Sequence, residues 1–190
     1  MKSAIPVITG ALLLAMPGTA FAQASYTSGS VQSGTLSFDG KATMGDFVGT
    51  TTTVAGAMTG SAELSSVQGW VEAQVNTLKT GNDRRDRDLN KSMESARYPV
   101  IRFDLSSVTP GAISGDSMAV TLHGTFRIHG VDRQVSLPGT LVRQPSGLRL
   151  RSDFPMNLTD YKIGGLSKML GMLKMHPDII VHVDVTFTQT

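Results

Sequence analysis

The stretch Asp178-Ile179-Ile180-Val181-His182-Val183-Asp184-Val185-Thr186-Phe187-Thr188 decides the fold class of this chain. Ile179, Val181, Val183, Val185 and Phe187 fall on one face of an extended backbone. Ile180, His182, Asp184, Thr186 and Thr188 fall on the other, the period of two expected of a strand with one face in a core and one in water. Leu148, Leu150, Ser152, Phe154, Met156 and Leu158 repeat the pattern, with Arg149, Arg151 and Asp153 facing outward. Leu122, Gly124, Phe126 and Ile128 make a third such face, and Val135, Leu137 and Gly139 a fourth, with His129-Gly130-Val131-Asp132 as the turn between them. Further strands are predicted over 35–43, 50–56, 60–67, 70–78 and 100–107. Parallel sheets need helical crossovers, and these are mostly missing, so the pattern predicts an all-β meander of short antiparallel strands, either a sandwich or a barrel.

The first residues are read as a leader. Lys2, the apolar run from Ile5 to Met16, the Pro17-Gly18 break and Ala20-Phe21-Ala22 have the order of a cleavable signal peptide, which predicts a signal over 1–22 and one mature domain over 23–190. The run is shorter than the roughly 20 residues that span a bilayer, so no stable membrane insertion is expected. With no cysteine, neither a lipidation site nor a disulfide is available. Seventeen basic residues stand against 15 acidic ones, and removal of Lys2 leaves the charge near +1. The basic residues are scattered among acids, which excludes a phosphate-tracking surface and with it a nucleic-acid partner.

Two windows depart from strand periodicity. Asn82 or Asp83 can cap a short helix near 83–93, in which Asp83 and Arg87, then Arg84 and Asp88, have the four-residue spacing that sets opposite charges side by side. Between Ile163 and Met175, the residues Leu166, Met169, Leu170 and Leu173 recur with helical period before Pro177, which predicts an amphipathic helix near 165–175.

The chemistry-bearing residues form no reactive constellation. His123 and His129 share a polar face in a strand-like window but stand about 20 Å apart at the strand rise. His182 has only Asp184 beside it, so no metal site is expected. There is no Gly-x-Ser-x-Gly, Ser-x-x-Lys, thiol or His-Glu-x-x-His, and the chain is read as neither an enzyme nor a cofactor carrier.

The run Asn82-Asp83-Arg84-Arg85-Asp86-Arg87-Asp88-Leu89 is preceded by Thr80-Gly81 and followed by Tyr98-Pro99-Val100-Ile101-Arg102-Phe103. Farther on stands Gly124-Thr125-Phe126-Arg127-Ile128-His129-Gly130-Val131. In this order they resemble the YceI-like family, specifically between Thr80 and Leu137 and by pattern alone before Gln68. Arg85-Asp86-Arg87-Asp88-Leu89 matches the family's Arg-Asp-x-His-Leu, with Asp88 where the family has histidine. The resemblance implies a single eight-stranded antiparallel β-barrel of lipocalin-like shape, one end plugged by the 83–93 helix with Leu89 inward. It also implies binding, sequestration or transport of a polyisoprenoid or fatty-acyl chain in the lumen of a periplasmic protein. A secreted location and a ligand-free adhesion β-sandwich with a filled core are the alternatives, and the protein is expected to be a monomer or homodimer.

Within that barrel, Ile101, Phe103, Phe126, Ile128, Phe154 and Met156 are expected to line the lumen. The small inward residues Val71, Ala73 and Val75 are expected to leave it room, which would place Trp70 outside. Phe38 and Phe47 are expected at the mouth, with Leu166, Met169, Leu170 and Leu173 as a methionine-bearing lid, since methionine adapts to a variable apolar partner.

Overall fold

The alternating segments pair into one sheet that closes on itself. A computed structural model describes Tyr26 and residues 28–43, 45–164, 167–168 and 173–188. The leader expected over 1–22 lies outside the described residues.

The strands are β1 (Gly29–Gly40), β2 (Phe47–Thr51), β3 (Val54–Thr59), β4 (Gln68–Gln74), β5 (Val100–Ser114), β6 (Ser117–Ile128), β7 (Val131–Gln144) and β8 (Gly147–Asn157). Two-residue strands β9 (Ser167–Lys168) and β10 (Leu173–Lys174) pair with each other, and β11 (Asp178–Thr188) is the last strand among the described residues. Neighbours run β11-β8-β7-β6-β5-β4-β3-β1, and β1 pairs with β11 to complete an eight-stranded antiparallel barrel with β2 as a ninth strand on β1. Closure leaves Phe38 opposite Val181 and Leu36 opposite Val183, so no sandwich edge remains between β1 and β11. The register of β2 on β1, with Leu36 opposite Thr51, continues unshifted into β3, with Ser30 opposite Ala57. β2 and β3 therefore act as two halves of one interrupted strand.

Two expectations are corrected. The strand predicted over 60–67 is instead a connection with a 3-10 turn at Leu64–Ser66, whose Leu64 is buried beneath the barrel end. The helix predicted near 165–175 does not form over its described residues, which are the paired strands β9 and β10 and the bridging Met175; backbone pairing overrides a helical spacing of apolar residues. The other helix does form, as α1 (Asp83–Ser92), with the Asn82 side chain accepting from the Arg85 backbone N–H at 3.0 Å.

The β6–β7 hairpin turns on His129 and Gly130, both at positive φ (54° and 72°), so that Ile128 already faces Val131. His129 thus lies in the expected turn, which takes it off the strand face also read for it with His123. The opposite seam, between β7 and β8, is paired only from Thr140–Arg151 to Gln144–Gly147. Beyond that the strands part, where Pro138 has no N–H to offer and its carbonyl takes the Ser152 hydroxyl at 2.6 Å instead. A 3-10 turn, Leu158–Tyr161, buries Leu158 and Tyr161 where the strands part.

The interior divides into two clusters. One gathers Val108, Met118, Val120, Leu122, Leu141, Leu148, Val185 and Phe187 at the end bearing the β5–β6 and β7–β8 turns. The other gathers Val75, Phe126, Ile128, Phe154, Tyr161, Ile179 and Val181 at the end crossed by α1. Phe103, Leu137 and Val183 pack against both and mark the boundary.

Candidate functional site

A cavity of about 500 Å³ opens at the α1 end of the barrel, within the ~300–1,000 Å³ of small-molecule pockets. Its walls come from successive inward positions on several strands. Ile101 of β5, Phe126 and Ile128 of β6, Met156 of β8, and Ile179 and Val181 of β11 form the inner part. Leu36 and Phe38 of β1 extend it toward Phe47. Leu89 and Met93 close it from α1, and Leu158, Ile163 and Met175 from the β8–β11 connection.

Aromatic packing forms the floor. The Phe126 ring stands edge-on to Phe154 and to Tyr161, each with centroids 6.0 Å apart, and lies 6.1 Å from Phe103. Of this group only Phe126 reaches the cavity among the described residues. Phe103 lies over Gly124, where an added Cβ would sit 2.2 Å from the Asp104 carbonyl oxygen and 2.8 Å from the Phe103 ring, so glycine is required there.

The mouth is tied by backbone contacts. The connection after β1 bridges the one before β11 through Ala42 and Met175, and His176 N–H donates to the Lys41 carbonyl at 2.8 Å. On the other side, Thr80 fixes α1: its N–H and hydroxyl donate to the Asp86 carboxylate at 2.8 and 2.7 Å. Asp86 is buried, and the Thr80 hydroxyl bond holds its carboxyl below the usual range against the opposing effect of burial. Lys79 adds a looser ion pair at 3.8 Å. The first partner of this aspartate is thus threonine.

The foot of α1 is latched to the β6–β7 turn. The Tyr98 ring stacks edge-on against His129, with centroids 4.8 Å apart, and covers Gly130 so closely that a Cβ there would come within 2.5 Å of it. His129 Nδ1 lies 3.1 Å from the Tyr161 carbonyl and its Nε2 lies 3.3 Å from a Glu94 carboxylate oxygen. The Thr80-Gly81, Arg85–Leu89, Tyr98-Pro99 and His129-Gly130 stretches therefore meet around one end of the barrel. They close it around the cavity, and none of them forms a reactive cluster.

The expected site residues separate clearly. Phe38, Phe47, Ile101, Phe126, Ile128 and Met156 stand on the cavity wall. Phe103 and Phe154 point inward but support the floor from behind. Val71, Ala73 and Val75 also point inward, yet they do not line the cavity. Val71 packs into the filled end, and Ala73 and Val75 are buried at 3% and 0% exposure beneath other side chains. Their small size serves close packing and leaves no volume. Trp70 is on the outside, where Arg102 lies over its ring at 4.4 Å. Leu166, Met169 and Leu170 lie outside the described residues, and Leu173 is described only as part of β10.

Leu36, Ile179, Val181 and the polar rim of Arg84, Arg85 and Asp88 line the cavity without having been expected there. The first three were legible from alternation, two residues from chosen positions or on an inward face. The rim was not, because which side of a charged helix meets a cavity depends on where the helix docks. Among the described residues no group of three His, Cys, Asp or Glu side chains is placed to hold a metal, and no helix is long and apolar enough to cross a membrane.

A family model described as a YceI-like domain matches residues 24–187. No curated protein matches the chain. Among solved structures, a polyisoprenoid binding domain from Saccharophagus degradans implicated in plant cell wall breakdown superposes with a TM-score of 0.72 at 16% identity, covering 86% of this chain and 99% of that one. BcnA from Burkholderia cenocepacia gives 0.68 at 12% identity, covering 80% and 95%. The Campylobacter jejuni YCEI protein gives 0.51 at 17% identity, covering 65% and 72%. At these identities the likeness is one of fold.

Proposed function

The chain belongs to the YceI-like family, and from that premise we propose that it binds a polyisoprenoid or other long apolar chain in the hollow end of its barrel, for sequestration or transport after export to the periplasm. The observation that carries this reading is the cavity itself, about 500 Å³ and walled by Ile101, Phe126, Ile128, Met156, Ile179 and Val181. Hydrocarbon in such a space gains about 0.8 kcal/mol per buried methylene. Ten to fifteen carbons give roughly 8 to 12 kcal/mol gross against association costs of about 4 kcal/mol or more, enough for micromolar binding. The polyisoprenoid ligand named for the Saccharophagus degradans domain supports the same chemical class. A filled adhesion sandwich would need neither barrel closure nor this hollow. Binding alone accounts for the site, with no step of covalent chemistry.

The protein purified from its own compartment is extracted with organic solvent, and the extract is examined by mass spectrometry. A prenyl or acyl species near one per chain is expected, and an empty extract from folded protein rejects the reading. Ile101→Trp fills the cavity from its wall and is expected to abolish co-purification while the barrel still folds. Phe126→Asp does the same at higher risk to the fold, because its ring holds the floor. Export is checked by fractionation and by the N-terminal sequence, which is expected to start at Gln23.

A further inference from the structure

The polar side chains on the cavity wall are concentrated on one side. Asn82, Arg84, Arg85, Asp88 and Ser92 all belong to α1 or its cap, while the rest of the described lining is hydrocarbon apart from Ser37 and Thr43. Arg85 is held in place: its guanidinium lies over the Phe47 ring at 4.2 Å, and its helix turn is anchored by the Asn82 cap. Stacking uses the face of a guanidinium and leaves its in-plane N–H groups to donate to an oxyanion. Two guanidiniums, Arg84 and Arg85, line the cavity against one carboxylate, Asp88, among the described lining residues; Arg85 also feels the Asp86 carboxylate, which Thr80 already holds by two hydrogen bonds. The rim is therefore cationic. It adjoins an interior where an ionised group cannot be desolvated cheaply.

Resting on the carrier reading above, we infer that this site selects amphiphiles whose apolar chain ends in an oxyanion, a phosphate or a carboxylate, with the chain entering tail first toward Phe126 and the head held at Arg84 and Arg85. A neutral alcohol of the same chain length fills the same hollow but brings no anionic group to the two guanidiniums. One charge-assisted contact of this kind is worth about tenfold in affinity, and the preference weakens with salt because the rim is open to solvent.

The test is displacement of the neutral fluorophore N-phenyl-1-naphthylamine from the delipidated mature protein by farnesyl monophosphate, farnesol, palmitate and hexadecanol. Farnesyl monophosphate is expected to bind at least tenfold tighter than farnesol at low salt. In the Arg84→Gln, Arg85→Gln double variant, checked for fold by circular dichroism, that ratio is expected to fall to near one. Arg127→Gln, on the outer wall beside Asp104 and Asp132, is expected to keep it. A matching preference for palmitate over hexadecanol shows that any oxyanion serves, and its absence narrows the head group to phosphate. Farnesol binding as tightly as its phosphate, or a preference that survives in the double variant, overturns the inference and leaves the carrier reading standing. Failure of all four probes to displace the fluorophore overturns both.

Discussion

The two ends of the barrel are built from the same strands with the same inward alternation, yet one is solid and the other hollow. At the solid end, Leu122, Leu141, Leu148 and Val185 interlock, and Val185 is fully buried. Glycine at position 34 permits this, since a Cβ there would stand 2.9 Å from Val185 Cγ1. At the hollow end, β7 and β8 pair no further than Thr140 and Arg151, the 3-10 turn buries Leu158 and Tyr161, and α1 contributes Leu89 to the cavity wall. Small inward residues do not by themselves make the hollow, since Ala73 and Val75 are among the best packed.

The largest effect expected from this contrast is on stability. Leu122→Ala, at 3% exposure in the solid end, should cost about 2–5 kcal/mol of unfolding free energy. Met156→Ala, half-buried on the cavity wall, should cost about 1 kcal/mol or less, since part of its surface already faces a void. Urea unfolding of the two variants without ligand measures the difference, and equal losses would mean that the hollow is filled in solution.

A middle-sized effect concerns how the helix is held over the hollow. Asp86→Ala removes the acceptor of the Thr80 N–H and hydroxyl and should cost about 1–3 kcal/mol. Since the folded state holds the Asp86 carboxyl below its unfolded pKa, its contribution is present above the usual carboxylate range and is lost as pH falls through the lowered value. Thermal melts should therefore show a wild-type advantage over the variant at neutral pH that shrinks in acid. A constant advantage would assign the loss to packing alone.

The smallest effect lies on the outer wall, which serves neither end. His182 Nδ1 lies 2.6 Å from Asp153 and its Nε2 3.1 Å from Asp39, and these bonds, the Asp153 one foremost, raise its pKa. A raised folded pKa means full stabilisation below the unfolded imidazole range and loss as pH rises through the folded value. The group is partly exposed, so the change should stay under about 1 kcal/mol. An NMR titration should give an elevated His182 pKa that Asp153→Asn lowers. Ligand retention should not follow this titration; if it did, the outer wall would be coupled to the hollow.

Much of this molecule was legible as sequence because strand alternation is a local rule. Ile179 to Phe187 and Leu148 to Leu158 announced their inward faces, and Asn82 announced the helix start. Local periodicity misled where pairing decided the outcome: the 60–67 segment became a turn, and the described part of 165–175 became paired strand in place of helix. The order of residues by itself determined which side chains turn inward and where the chain bends, since these follow from backbone geometry and adjacent side chains. Only the tertiary structure decided which inward side chains meet and which enclose space, because that depends on contacts between segments far apart in the chain. The extent of β7–β8 pairing and the docking of α1 are such contacts, and neither has a counterpart in residue spacing.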